Sequence, residues 1–81
     1  MDVRQRIGQN VQKIRRAKGL SQEELSHRAD IHQTYLSGVE SGKRNPSALV
    51  LERIAKGLDV DVSELDASKN LWANQRLIDS L

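Results

Sequence analysis

Apolar residues recur at helical spacing along the first segment of the chain. Val3, Ile7, Val11 and Ile14 follow one another at steps of four, four and three residues, which places them on one face of an α-helix. Gly19 follows this stripe and offers the left-handed conformation with which many helices end. The pattern therefore predicts an amphipathic first helix that stops before Gly19.

Ser21 and Glu24 have the spacing of a capping box, in which each side chain satisfies a backbone amide of the other residue. A second helix is therefore predicted to begin at Gln22 and to end near Ala29 or Asp30. It is short, and a third helix follows it closely.

The third helix fits residues 33–41. Leu36 and Val39 share one of its faces, and Gly42 supplies the next C-terminal stop. The turn around Pro46 then leads into a fourth helix, which is capped by either Asn45 or Ser47. The predicted buried stripe of this helix is Leu51, Ile54, Ala55 and Leu58.

A further capping pattern, with Asp61 and Glu64, predicts the start of a fifth helix. The tail, 67–81, carries apolar residues on one side of a helical wheel and is helical if that side is covered. No segment alternates as a strand does. We therefore predict an all-α fold, a compact domain of five helices over 1–66, with 67–81 as an extension that is a candidate additional C-terminal helix.

Composition narrows the classes of function. The chain of 81 residues has no cysteine, two histidines and a net charge of +2, so disulfides and thiolate metal sites are excluded and a metal site or cofactor is not expected. No apolar run approaches the ~20 residues of a membrane span, and no secretory signal is present. A cytoplasmic protein without a membrane or small-molecule partner is predicted, and the mild positive charge permits nucleic acid.

Two short helices joined by a short turn form a helix-turn-helix when the second crosses the first steeply. In a twenty-residue unit that starts at Gln22, the inward positions 4, 8, 10, 15 and 18 must be apolar. All five are apolar here: Leu25, Ala29, Ile31, Leu36 and Val39.

With the stretches "GLSQEELS" at 19–26, "YLSGVESGKRNPS" at 35–47 and "LERIAKGLDV" at 51–60, the chain resembles the lambda-repressor-like, Cro/C1-type regulators of the XRE family. The resemblance covers about residues 5–65. It implies a five-helix fold whose third helix enters the major groove of double-stranded DNA.

The resemblance also implies roles for individual residues. Base edges would be contacted by Gln33, Thr34 and Ser37, and a glutamine amide matches the donor and acceptor of adenine. The DNA backbone would be contacted by Gln22, His32, Tyr35, Lys43, Arg44 and Asn45. For Tyr35, packing on the core is an equal alternative. Arg15 and Glu40 would form a structural ion pair between the first and third helices.

Four residues depart from the family's pattern. Asp30 and Asp59 stand where relatives often have glycine, and aspartate tolerates the left-handed conformation better than most residues. His32 is a poor helix cap, so a contact with phosphate is its alternative role. Gly38 costs about 1 kcal/mol of helix stability relative to alanine. Close approach of DNA is the one explanation that the sequence offers for a glycine at this position.

Specificity generally requires two helix-turn-helix copies, so the prediction is a homodimer on a palindromic operator, with recognition helices about 34 Å apart. The predicted interface comprises Leu65, Leu71, Trp72, Ile78 and Leu81, although Trp72 could instead cover the chain's own core. The sequence does not choose among three biological roles for such a regulator: phage repressor, restriction-modification controller or antitoxin-type regulator.

Two rival functions remain. The same fold could be a protein-interaction module without operator recognition, and in that case reversing the charges of Lys43 and Arg44 would leave its activity intact. An enzyme is the weaker rival, because the glutamates lie on separate helices and no acid, base or nucleophile groups converge.

Overall fold

The computed structural model describes residues 3–65, and every regular element in that range is helical. The elements are α1 (Val3–Ala17), α2 (Gln22–Ala29), α3 (Gln33–Glu40), α4 (Ala48–Leu58) and a single 3₁₀ turn (Val62–Glu64). The predicted all-α class is confirmed. The prediction of five helices is not confirmed, because a 3₁₀ turn lies where the fifth helix was predicted to begin. The predicted extension, 67–81, lies outside the described residues.

The core lies where α2 packs against α4 and α3, with α1 against α3. Its fully buried side chains come from all four helices and from the residue after the 3₁₀ turn: Val11, Leu25, Leu36, Val39, Ile54, Leu58 and Leu65. Val3 is 56% exposed, so the buried stripe of α1 begins at Ile7. The Nδ2 amide of Asn10 donates to the carbonyl of Leu65 at 3.3 Å and ties the end of the described chain to α1.

The predicted N-terminal caps of α2 and α4 are present. The amide of Glu24 donates to Ser21 Oγ at 3.0 Å, and the amide of Ser21 donates to Glu24 Oε1 at 3.2 Å, which completes the capping box. For α4 the cap is Ser47, whose Oγ accepts from the amide of Val50. Of the two predicted candidates for that cap, Asn45 is therefore excluded.

Asp30 and Asp59 end α2 and α4 in the left-handed conformation, with φ of 56° and 58°. The geometry that glycine often provides in the family that the chain resembles is thus retained by aspartate. Beyond Asp59, Asp61 Oδ1 accepts from the amide of Ser63 at 2.9 Å. Hydrogen bonds from the backbone amide and then the side chain of Ser63 lower the pKa of Asp61. The contribution of Asp61 to stability is therefore present while it is ionised and is lost as the pH falls through that lowered pKa.

Gly8 fixes how closely α1 and α3 approach each other. A Cβ atom added at Gly8 would overlap the carbonyl oxygen of Val39 and lie 2.7 Å from that of Glu40. Both obstacles are backbone atoms at the C-terminal end of α3, so they cannot move aside without moving the helix. The sequence pattern did not single out Gly8, although it sets the position of the predicted recognition helix.

Candidate DNA-binding surface

The inner face of α3 is held firmly by the rest of the domain. Leu36 and Val39 are fully buried, and Glu40 is 7% exposed. Asp30 and the residues that follow it turn the chain between α2 and α3, and the amide of Ile31 donates to the carbonyl of Ser26 at 3.0 Å across that turn. Ile31 itself is partly buried against the core. The orientation of α3 is therefore set by packing on one side of the helix only.

A buried ionic network joins α3 to α1 and α2. Arg15 Nε donates to Glu40 Oε2 at 2.8 Å, and Arg15 Nη2 donates to Glu40 Oε1 at 3.0 Å. Arg15 Nη1 donates to the carbonyl of Leu20 at 2.8 Å. The two charged side chains are 9% and 2% exposed. This two-pronged geometry satisfies both carboxylate oxygens, as a buried pair requires.

Gln22 belongs to the same network. Its Nε2 donates to Glu40 Oε1 at 3.1 Å, so its side chain helps to hold α3, a role that the sequence did not predict. The predicted phosphate contact of this side chain would have to use the remaining Nε2 hydrogen, because Oε1 and the phosphate oxygens are both hydrogen-bond acceptors. Among the described residues, every buried side-chain nitrogen and oxygen has a hydrogen-bond partner.

The outer face of α3 carries the three predicted base-contacting residues. Gln33, Thr34 and Ser37 are all exposed, and their spacing of three and four residues places them on one side of the helix. Leu36 and Val39 of the same helix are buried, so the helix has an exposed polar side and a buried apolar side. The structure thus brings these three polar side chains together on a single outward surface.

Positive charge lies beside this surface in the loop that follows α3. Lys43, Arg44 and Asn45 are exposed in the loop that follows α3. Glu40 is the only carboxylate between residues 31 and 45, and it is buried against Arg15. Within residues 31–45, Lys43 and Arg44 are therefore the exposed charged side chains. At the start of α3, Glu23, Glu24 and Asp30 line a depression that also includes His32 and Gln33.

His32 precedes α3 in an extended conformation, and its side chain makes no capping hydrogen bond. The prediction that it is a poor cap is confirmed. The side chain is exposed at the start of the polar face, where it is placed as the prediction of a phosphate contact requires.

The side chain of Arg44 contacts both Tyr35 and Gly38. Tyr35 is half-buried and packs against the core, and the guanidinium of Arg44 lies 5.4 Å above the centre of its ring. A Cβ atom added at Gly38 would lie 2.9 Å from Arg44 Cγ. The sequence offered close approach of DNA as its one explanation for Gly38, and the structure supplies a second, because the arginine side chain occupies that space.

The predicted dimer contacts have two outcomes. Leu65 is fully buried in the core of its own chain, so the structure corrects its assignment to an interface. Leu71, Trp72, Ile78 and Leu81 lie outside the described residues. Three large apolar side chains are exposed within the described range, and two of them, Leu49 and Val62, line one depression shared by α4 and the 3₁₀ turn.

No group of three or more histidine, cysteine, aspartate or glutamate side chains within residues 3–65 is arranged to hold a metal ion. None of the helices in that range is long and apolar enough to cross a membrane.

A capped short helix, a tight turn and a second short helix with one buried and one polar face define a helix-turn-helix unit. The family model described as "Helix-turn-helix" matches residues 11–65. The chain therefore belongs to the helix-turn-helix family of Cro/C1-type transcriptional regulators.

The chain is similar to several regulators of comparable length. An uncharacterised HTH-type transcriptional regulator of Sinorhizobium fredii, y4dJ, is 45% identical over 65 residues, which are 80% of this chain and 84% of that protein. The control protein C.MunI of a Mycoplasma species is 43% identical over 65 residues, which are 79% of this chain and 88% of that protein.

A solved structure shares the fold. The restriction-modification controller protein C.AhdI from Aeromonas hydrophila superposes with a TM-score of 0.75 at 39% identity, and the match covers 76% of this chain and 94% of that one. The helices described above are thus arranged as in a known controller protein.

Proposed function

We propose that the chain is a sequence-specific regulator that binds double-stranded DNA as a homodimer on a palindromic operator. α3 lies in the major groove, and its outward face contacts base edges through Gln33, Thr34 and Ser37. Lys43, Arg44 and Asn45 contact the sugar-phosphate backbone. The protein acts in the cytoplasm, where its operator would be.

One observation carries this proposal. α3 is immobilised on its inner face by core packing and by the buried Arg15–Glu40 pair, while its outer face is polar, exposed and bordered by two cations. A helix that is rigidly held and leaves its polar face uncovered suits the major groove, which admits one α-helix. A surface that bound another protein through α3 would be expected to expose apolar anchors there.

Dimerisation follows from the size of α3. Its eight residues extend about 12 Å, which is enough to contact only a few base pairs. Two copies related by a two-fold axis would contact half-sites one turn of DNA apart. Similarity to two controller proteins supports restriction-modification control as the setting, and neighbouring genes for a restriction enzyme and its methyltransferase would support it independently.

Replacing Gln33 with alanine is expected to remove ~1–3 kcal/mol of discrimination at one base pair, because the side-chain amide would no longer contact its base. Binding to operators substituted singly at each position measures this effect. Gln9→Ala removes the same side chain from an exposed position of α1 and should leave base preference unchanged. An unaltered preference in Gln33→Ala would show that the register assigned to the recognition helix is wrong.

Replacing Arg44 with alanine is expected to weaken binding to all sequences alike. Loss of one phosphate contact should also reduce the slope of log affinity against log salt by about one unit. Titration of specific and mixed-sequence duplexes from ~50 to ~200 mM salt gives both quantities. The matched control is Arg53→Ala, which removes an exposed arginine from α4. The helix α4 packs mainly against α2. Equal slopes in Arg44→Ala and the parent would contradict the backbone contact.

A further inference from the structure

The geometry points to a preformed position for the side chain of Arg44, here called the seat. The seat is formed by Gly38 and the ring of Tyr35, and it holds the guanidinium at the edge of the polar face before DNA binds. Tyr35 and Gly38 are then positioning residues that act through Arg44. This inference rests on the proposed function, since the ligand of the seated guanidinium is a DNA phosphate.

Three hydrogen bonds from residues that follow α3 converge on one carbonyl oxygen of the helix. Gly38 O accepts from the amides of Lys43 and Arg44 at 2.9 and 3.1 Å, and Ser41 Oγ donates to it at 3.1 Å. Gly42 makes the reversal possible with φ of 78°. The backbone of Arg44 is thus fixed relative to the recognition helix even though its side chain is exposed.

The side chain of Arg44 is fixed at two further points. Its Cγ, Cδ and Nε atoms would lie 2.9, 3.2 and 3.5 Å from a Cβ atom at Gly38, so the arginine stem lies against bare helix backbone. Its guanidinium lies 5.4 Å above the centre of the Tyr35 ring, within the range of a cation–π contact. Absence of a side chain at residue 38 is what lets the stem reach the ring.

A seated arginine loses less side-chain freedom when it binds. A free arginine would forfeit rotamer entropy on contacting a phosphate, whereas one already held in position has lost part of that entropy on folding. The cation–π contact of an exposed pair corresponds to about a two- to five-fold effect on affinity. The same contact couples the backbone-binding loop to Tyr35, which is on the recognition helix itself.

Gly38→Ala in the full chain tests the seat. Alanine favours a helix more than glycine does, and the group that must move is a flexible side chain, so the variant should be at least as stable as the parent. Its affinity for a mixed-sequence duplex of 24 base pairs, measured at ~50 mM salt, should nevertheless fall by about two- to five-fold. Stability and affinity are therefore expected to change in opposite directions.

A double-mutant cycle separates the seat from direct contact between residue 38 and DNA. In an Arg44→Ala background, Gly38→Ala should cost nothing further, because no arginine remains to be displaced. In a Lys43→Ala background it should cost as much as in the parent. A loss that persists undiminished beside Arg44→Ala would mean that DNA approaches residue 38 directly, and would overturn the inference.

Tyr35 provides the second half of the test. Tyr35→Leu should weaken binding to a similar extent as Gly38→Ala and should not add to Arg44→Ala. Tyr35→Phe keeps the ring and should leave Arg44 seated. A loss in Tyr35→Phe as large as in Tyr35→Leu would assign the effect to the phenol hydroxyl and contradict the seat.

NMR of the free protein tests the seat without DNA. Ring currents from Tyr35 should shift the δ-methylene protons of Arg44 upfield, and the shift should disappear in Gly38→Ala and Tyr35→Leu. Ordinary arginine shifts in the parent would overturn the inference, as would unchanged affinity in Gly38→Ala. Failure of the parent to bind any duplex would instead overturn the proposed function, and with it the purpose of the seat.

Discussion

Replacing Glu40 with alanine is expected to lower the free energy of unfolding by about 3–5 kcal/mol. The change leaves the guanidinium of Arg15 buried, with the carbonyl of Leu20 as its remaining hydrogen-bond acceptor within residues 3–65. An uncompensated buried charge is far costlier than the loss of a surface ion pair. Urea denaturation followed by circular dichroism measures the effect.

Two controls accompany this prediction. The double replacement Arg15→Met with Glu40→Met removes both charges and should cost much less than Glu40→Ala, because apolar side chains of similar volume can fill the site. Glu52→Ala removes an exposed glutamate from α4 and should change stability by no more than about 0.5 kcal/mol. A loss in Glu40→Ala as small as in Glu52→Ala would show that the buried pair does not fasten α3.

Replacing Gly8 with alanine is expected to cost about 3 kcal/mol, even though alanine is intrinsically the better helix former by about 1 kcal/mol. The added methyl group would overlap the carbonyl oxygen of Val39, so α1 and α3 would have to separate. Because the C-terminal end of α3 would shift, affinity for DNA should fall as well. Thermal and urea unfolding measure the first effect, and duplex titration measures the second.

Gly38→Ala is the matched control, since it also places alanine within a helix. There the nearest atoms belong to the flexible side chain of Arg44 rather than to backbone, so stability should be retained or increased. If Gly8→Ala and Gly38→Ala were equally stable, the close approach of α1 and α3 would have to be wrong.

Features that depend on neighbouring residues could be predicted from the sequence. The capping box at Ser21 and Glu24, the left-handed Asp30 and Asp59, and the apolar positions of the two central helices all follow from local spacing and backbone preference. Candidates for the polar face of α3 came from the family resemblance, and the structure shows those side chains exposed together.

Features that depend on distant contacts could not be predicted in this way. The role of Gly8 requires knowing that α3 crosses α1 at that residue, although an unexplained glycine inside a helical pattern was a signal. The side chain of Gln22 donates a hydrogen bond to Glu40, eighteen positions away. Gly38 leaves room for the side chain of Arg44 from the following loop. Leu65 was assigned to an interface because its apolar character alone does not distinguish a core from a partner.

Selection of bound sequences from a random pool of DNA duplexes tests the central claim most directly. At ~150 mM salt, nonspecific attraction to the DNA backbone is suppressed, so enrichment reports base recognition. The predicted result is a palindrome whose half-sites are centred one helical turn apart. No enriched sequence, from protein shown by circular dichroism to be folded, would contradict operator recognition and favour a protein-interaction module of the same fold.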